Sequence, residues 1–349
     1  MKKIIALLLA LVMVFALVAC GNKGEQPKDD ANDANTPADT NTPADDSTGT
    51  PEEPEQKEDV YVAYMAKNTV DAFHATMNGK AAEIFDSWKD EGLIADWQLY
   101  DATTDPAMQV SLLEDAINNG ANMVALQPCE AAGSDPVVTR CHELGIPIVV
   151  INSYTDSTMD LADGYAFSDD YDAGTMMADY VMEKVPEGGK FAHMMGVVGS
   201  SAQILRGEGV KDKMNEESGW ECVGDYAAEW LAEKAVGFAT DVITQYGDEL
   251  KAIVCDNDDM SSAVQAYCNS IGREDIVCIG VDGNKGPLTM VKEGTLGATV
   301  FQDGAGQVEY ALNTIMKAII SGETEGVNMK KGDIPFILVT QDNVDEYLK

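Results

Sequence analysis

Basic residues are scarce in this chain of 349 residues: 23 Lys and Arg stand against 60 Asp and Glu, a formal net charge of −37. Phosphate backbones are bound by clustered Lys and Arg, so no nucleic acid is expected as a partner. Histidine is scarcer still, and His74, His142 and His193 are too scattered to suggest a metal site or a triad. No C-x-x-C pair occurs among the seven cysteines, which argues against zinc. No P-loop, G-x-S-x-G elbow or dinucleotide fingerprint is present, and no carboxylates pair clearly for acid/base work. These absences point away from an enzyme, and no cofactor or metal is expected. Long apolar runs are missing too, apart from residues 4–18, which are too short and too early for a good membrane span.

What is present begins with a basic Met1-Lys2-Lys3, the apolar residues 4–18, and Leu17-Val18-Ala19-Cys20-Gly21. That ending resembles a bacterial lipobox, in which the cysteine is acylated and becomes the mature N-terminus. Residues 1–20 are therefore expected to be a lipoprotein signal peptide. Cys20 would anchor the protein to the outer face of the cell membrane. Residues 21–57 hold three Lys and ten Asp or Glu with no apolar periodicity. Such a segment cannot bury enough surface to offset its ordering entropy, so a disordered acidic tether is expected. Most of the negative charge falls on residues 58–349 and reads as a soluble exported surface. Six further cysteines follow: Cys129, Cys141, Cys222, Cys255, Cys268 and Cys278. An exported chain permits disulfides, but Cys255 and Cys278 sit in apolar runs, where a free thiol acts as a small hydrophobe. Mostly reduced, buried thiols are expected.

The most informative stretch is Ile253-Val254-Cys255-Asp256-Asn257-Asp258-Asp259-Met260. An apolar run ends abruptly in polar side chains before a helical pattern, as buried parallel strands do at the edge where open α/β sheets bind ligands. The pattern recurs at Val277-Cys278-Ile279-Gly280-Val281-Asp282-Gly283 and at Gly297-Ala298-Thr299-Val300-Phe301-Gln302-Asp303. Three successive strand ends thus offer Asn257, Asp282 and Gln302, all planar polar groups suited to a ligand with several hydroxyls. Upstream, strands are expected at 60–65, 97–100, 123–126 and 146–151, alternating with helices at 73–91, 106–118 and a stretch through Arg140. The arrangement restarts with a strand at 191–195, a helix from Val210 onward, a strand at 222–226 and a helix at about 233–246. Alternating strands and helices give parallel sheets covered on both faces. The expected fold class is α/β, two doubly wound parallel-sheet lobes with a cleft between them.

At this point the chain resembles the ribose/galactose type of periplasmic sugar-binding protein, the receptor of an ABC transporter. The resemblance runs from about Val60 to the C-terminus. It is carried by Asp105-Pro106 with Gln109, Gly120-Ala121-Asn122, Gln127-Pro128, Gly145-Ile146-Pro147-Ile148, Arg206-Gly207-Glu208-Gly209, Asn257-Asp258-Asp259-Met260, Gly280-Val281-Asp282-Gly283 and Ala298-Thr299-Val300-Phe301-Gln302-Asp303. It implies an N-terminal lobe of residues 58–167 plus 303–333 and a C-terminal lobe of 168–302 plus 334–349. The three crossings form a hinge that closes the lobes around a ligand. It also implies a monomer that hands a monosaccharide to permease subunits. Phe73 and Trp230 match the aromatics that stack on the two faces of a pyranose. Arg206 matches a donor to ring and hydroxyl oxygens, and Asn257, Asp282 and Gln302 match hydroxyl partners. Asp71 and Asn152 match galactose/glucose-type receptors. Gln127 and Tyr154 are further cleft candidates.

The chain also departs from the family pattern. Ribose receptors place Asp-Arg where Asn152-Ser153 stands, and galactose-type receptors place His and Asp where Ser200 and Ala202 stand. The calcium loop of the latter has no counterpart between Val185 and Phe191, so no calcium is expected. A neutral aldohexose such as galactose or glucose is the expected ligand. A pentose such as xylose is the alternative, since Trp230-Leu231-Ala232-Glu233 resembles the xylose receptors; a non-sugar solute such as a nucleoside is another. Repressors of the lactose type share the two-lobe fold but need an N-terminal helix-turn-helix, and a signal and acidic tether stand in its place.

Overall fold

A computed structural model describes residues 59–215 and 218–348. The candidate lipidation residue Cys20 and the expected tether at 21–57 lie outside the described residues. Two stacks of strands and helices follow one another. In the first, five strands alternate with helices: β1 (Tyr61–Ala66), β2 (Asp96–Asp101), β3 (Met123–Leu126), β4 (Ile148–Asn152) and β5 (Gly164–Phe167). The second holds β6 (Gly189–Met195), β7 (Trp220–Ala227), β8 (Leu250–Cys255), β9 (Val277–Ile279), β10 (Val281–Asp282) and β11 (Thr299–Phe301). Two short strands close the chain, β12 (Lys330–Lys331) and β13 (Ile337–Val339).

The first sheet runs β12-β5-β4-β3-β1-β2 with every pairing parallel. β3 and β4 are buried along their whole length, as strands covered on both faces must be. On one face Phe85 and Trp88 of the helix Ala72–Asp90 join Tyr64 in the core; on the other Leu113, Val137 and Cys141 come from the next two helices. The second stack orders its strands β7-β6-β8-β9, all parallel, and β10-β11-β13, with β13 antiparallel. β9 and β10 are one strand interrupted at Gly280, where any Cβ would collide with the Asn257 carbonyl and the Ser261 hydroxyl. That close approach draws the ends of β8 and β10 together.

The chain passes between the stacks three times. It leaves the first after β5. It returns after β11, when the helical run from Gly304 to Ser321 buries Val308, Leu312 and Ile315 against the first sheet. It leaves again between β12 and β13, whose Phe336 neighbour packs into the second core.

One expected element is corrected. The sequence pattern put a helix from Val210 onward, yet the helix spans Ser201–Lys213 and ends shortly after that point. Ser200 caps it, accepting a hydrogen bond from Gln203 N at 3.3 Å. Glycine disfavours helix interiors, yet Gly207 and Gly209 both lie inside this helix. Here Gly209 lets the helix lie backbone to backbone on the helix Asp170–Lys184, where a Cβ would strike the Tyr171 carbonyl. This packing sets Arg206 beside Asp170. The short strand β5 also escaped the sequence reading, being only four residues long. All six cysteines in the described residues are free thiols, five of them buried and Cys222 exposed.

Candidate functional site

The strand ends of the two stacks face each other across a cavity. Asp71, Phe73, Asn152, Arg206, Trp230, Asn257, Asp282 and Gln302 all line it. Gln127 and Tyr154 do not. Gln127 is buried behind the wall, its amide on the Tyr64 hydroxyl and its carbonyl on Lys67 N. Tyr154 packs its ring on Phe167 with centroids 5.5 Å apart. Its backbone N–H donates to Ser201 Oγ at 3.2 Å, which ties the two stacks together. Both residues follow strand ends, but neither reaches the cavity.

Several polar wall side chains are oriented by hydrogen bonds to the protein. Arg206, 4% exposed, donates from Nε to Asp170 Oδ1 at 2.8 Å, from Nη1 to the Asp256 carbonyl at 2.5 Å and from Nη2 to Gln302 Oε1 at 3.0 Å. Holding the Gln302 carbonyl oxygen turns its amide nitrogen toward the cavity. Asn152 donates from Nδ2 to Gln307 Oε1 at 3.0 Å, and Gln307 in turn donates to Ser168 Oγ at 2.7 Å. Asn257 caps the helix Asp258–Ser270 with its oxygen on Met260 N at 3.1 Å, which leaves its amide nitrogen for the cavity. Asp71 likewise caps the helix Ala72–Asp90 through His74 N at 2.7 Å. Capping and lining, alternatives in the sequence, are the same act here.

Strain gathers at this place. Six non-glycine residues among those described have positive φ, and Asn152 (72°), Trp230 (67°) and Asp282 (142°) are three of them. Such conformations persist when surrounding structure over-determines them, and they concentrate at binding sites. Asp258 supplies part of that hold for Asp282, taking Gly283 N at 2.8 Å and Thr299 Oγ1 at 2.6 Å. Burial pushes the Asp258 carboxyl up to about 6 despite those bonds. Burial, and then the Asp258 charge, push Asp282 well above the usual carboxylate range.

Two wall residues were missed by sequence reasoning, Lys67 and His74; Ser153 and Ala202, read in the sequence as departures from the receptor pattern, line the cavity too. Lys67 sits at a strand end, the same signal that exposed Asn257, but a lone lysine reads as a solvated surface group. His74 lies one turn into a helix beside Phe73, and only the fold turns it inward. Its Nδ1 lies 2.9 Å from both Asp71 oxygens, so Nδ1 carries the proton and Nε2 presents a lone pair. Burial lowers the His74 pKa, against the pull of Asp71, and favours this neutral form. Burial also raises Asp71, but its bonds to His74 and Asn68 outweigh that and hold it below the ordinary range.

Among the described residues, three buried polar side-chain atoms have no hydrogen-bond partner: His74 Nε2, Trp230 Nε1 and Gln302 Nε2. All three belong to this cavity's wall. An unpaired buried polar group costs about 1–3 kcal/mol, and three on residues of one wall are what a site that pairs with a polar ligand would carry.

Comparison with known proteins agrees with this geometry. A family model described as a periplasmic binding protein domain matches residues 62–324. The chain belongs to the periplasmic binding protein family. Its fold is the type I form of that family, with α/β halves of parallel sheet meeting at a cleft. An ABC transporter solute binding protein from Bacillus halodurans, solved with bound myo-inositol, superposes with a TM-score of 0.74 at 26% identity, covering 85% of this chain and 99% of that one. One from Agrobacterium vitis with bound D-fucose gives 0.73 at 27% identity, covering 82% and 97%. A xylitol-binding protein of Mycolicibacterium smegmatis is 27% identical over 246 residues, 70% of this chain and 68% of that protein. Within this family fold, the wall described above occupies the cleft between the two halves.

Proposed function

We propose that this chain is the extracytoplasmic receptor of an ABC transporter, capturing one neutral, polyhydroxylated ring and delivering it to permease subunits. The observation that carries this is that His74, Trp230 and Gln302, each with an unpaired buried nitrogen, line one cavity together with Phe73. Aromatic walls suit the C–H faces of a pyranose, and the unpaired groups suit its hydroxyl rim. Arg206, Asn257, Asp282, Asn152 and Asp71 complete the rim. No step of catalysis is required, and none is proposed. Residues 58–167 with 303–333 and residues 168–302 with 334–349 form the lobes that close by hinge motion. Myo-inositol, D-fucose and xylitol, named for its relatives, are all neutral polyols.

Among such ligands an aldohexose, galactose or glucose, fits the wall best. Ser153 is small and buried at the edge of the cavity, where it leaves room for a hydroxymethyl group. A site built to pair a hydroxyl rejects an analogue lacking it by as much as about 10⁴-fold. Competitive titration with galactose, glucose, xylose and ribose, read by Trp fluorescence, is expected to rank a hexose first. Ribose binding more tightly than every hexose tried contradicts this choice.

The receptor is held at the outer face of the membrane through a lipid on Cys20. Cys20→Ala is expected to move the protein from the membrane to the soluble fraction of fractionated cells. An unchanged membrane fraction refutes the anchor.

A further inference from the structure

Gln307 stands behind the cavity wall, in the helix Gly304–Glu309 that follows the second crossing between the stacks. It is fully buried. A buried primary amide needs a partner at each end, and both of its partners come from other parts of the chain. Its Oε1 accepts from Asn152 Nδ2 at 3.0 Å, and its Nε2 donates to Ser168 Oγ at 2.7 Å. Its backbone N–H donates to the Asp303 carbonyl at 2.9 Å. Asn152 ends β4 and lines the cavity. Ser168 follows β5 directly, where the chain first leaves the first stack, and Asp303 lies where it returns. The side chain thus joins a wall residue to the first crossing, while its backbone is fixed at the second.

The bond to Asn152 has a polarity. Asn152 carries an acceptor, Oδ1, and a donor, Nδ2, on the two arms of a flat amide. Gln307 engages the Nδ2 arm. A reversed Asn152 amide would set Oδ1 against Gln307 Oε1, two acceptors with no proton between them. The backbone leaves little freedom to avoid that clash, since Asn152 is fixed at a φ of 72° and paired with Phe167 across β4 and β5. Oδ1 is the arm left over. Ser153 Oγ reaches it only at 3.5 Å, the far limit of a hydrogen bond.

We infer that Gln307 is a positioning residue that holds Asn152 with Oδ1 toward the ligand, so that this part of the wall accepts a hydroxyl proton. The inference rests on the polyol reading of the cavity and adds to it a rule of selection set from outside the cavity. At the position that meets Asn152, the ligand must carry a donor such as a hydroxyl. A carbonyl, an ether oxygen or a fluorine brings only lone pairs there, and these are repelled by Oδ1.

Calorimetric titration of the full chain with D-galactose, D-glucose, myo-inositol and xylitol first finds the tightest probe. Its monofluoro-deoxy analogues are then compared with it in wild type, Gln307→Leu and Gln307→Glu. Fluorine keeps lone pairs where the hydroxyl had them but has no proton to give. Gln307→Leu is expected to weaken the parent probe by roughly fivefold to thirtyfold. At one position the fluoro analogue must bind wild type at least about tenfold worse than the parent. That penalty must shrink in Gln307→Leu, whose freed Asn152 amide can turn Nδ2 outward. Gln307→Glu still accepts from Asn152 Nδ2, so it is expected to recover most of the lost affinity and the full penalty. If Gln307→Leu does not fold, Ser168→Ala carries the comparison. It frees Gln307 Nε2, lets both amides turn over together, and must shrink the same penalty. If Gln307→Leu weakens parent and analogues by one common factor, the residue acts by packing alone and the inference is overturned. A parent affinity within about threefold of wild type overturns it too. If wild type binds none of the four probes, the polyol reading itself falls and takes this inference with it.

Discussion

Arg206→Ala is expected to abolish measurable sugar binding and to lower the stability of the protein by about 3–5 kcal/mol. Both effects come from one network. The guanidinium is the only group described as neutralising Asp170, which is 2% exposed. Removing it strands that carboxylate in a dry interior. It also frees the Asp256 carbonyl and the Gln302 side-chain oxygen, each of which loses its donor. Gln302 can then flip its amide, and the nitrogen aimed at the ligand is no longer held there. Arg206→Lys keeps the charge but not the fork that serves three acceptors at once, so its loss should be intermediate. Urea unfolding measures the stability and calorimetry the binding. An Arg206→Ala protein that unfolds at the wild-type midpoint and binds sugar normally contradicts this picture of the wall.

His193 should give the second large effect, and it lies wholly outside the cavity. The side chain is fully buried on β6, with Nδ1 2.8 Å from Asp225 Oδ1 and Nε2 2.8 Å from Asp256 Oδ1. Burial alone would drive the ring neutral. The charge of Asp256 and the bonds to both carboxylates overcome it, and the pKa is raised to about 9. The same contact, together with Lys211 at 2.7 Å, holds Asp225 down to about 2. Asp256 passes the restraint onward. Its other oxygen takes Gly196 N at 2.8 Å, and its carbonyl takes Arg206.

The sign of the pH dependence follows from the raised value. An imidazolium that binds its proton more tightly in the folded state contributes its full stability below about 6.5. That contribution is lost as pH rises through about 9. The amount at stake is on the order of 3 kcal/mol. His193→Gln should therefore be much less stable than wild type at pH 6, and the gap should narrow by pH 10. Urea midpoints measured across that range provide the check. A gap that stays constant with pH would mean that the ring acts through packing alone.

Much of the site was legible because its residues sit where parallel strands stop. Asn257, Asp282 and Gln302 each end an apolar run, and such runs are easy to see. Phe73, Trp230 and Arg206 were reached through the order and spacing of motifs shared with sugar receptors, not through their own chemistry. Lys67 and His74 were not legible. A lysine after a strand and a histidine in a helix are ordinary surface residues until the opposite half of the molecule closes over them. Gln127 failed for the reverse reason: it stands at a strand end, but Tyr64 and the Lys67 backbone draw it into the wall. The helix carrying Arg206 starts nine residues before the point that the sequence pattern indicates, and its Gly209 serves close packing against the neighbouring helix.

A crystal structure of the protein with its tightest-binding neutral sugar or polyol tests the central claim most directly. The account predicts the ring between Phe73 and Trp230, with ligand oxygens within hydrogen-bond distance of Trp230 Nε1, Gln302 Nε2 and His74 Nε2. A ligand bound outside this cavity, or inside it with those three nitrogens still unpartnered, would contradict it.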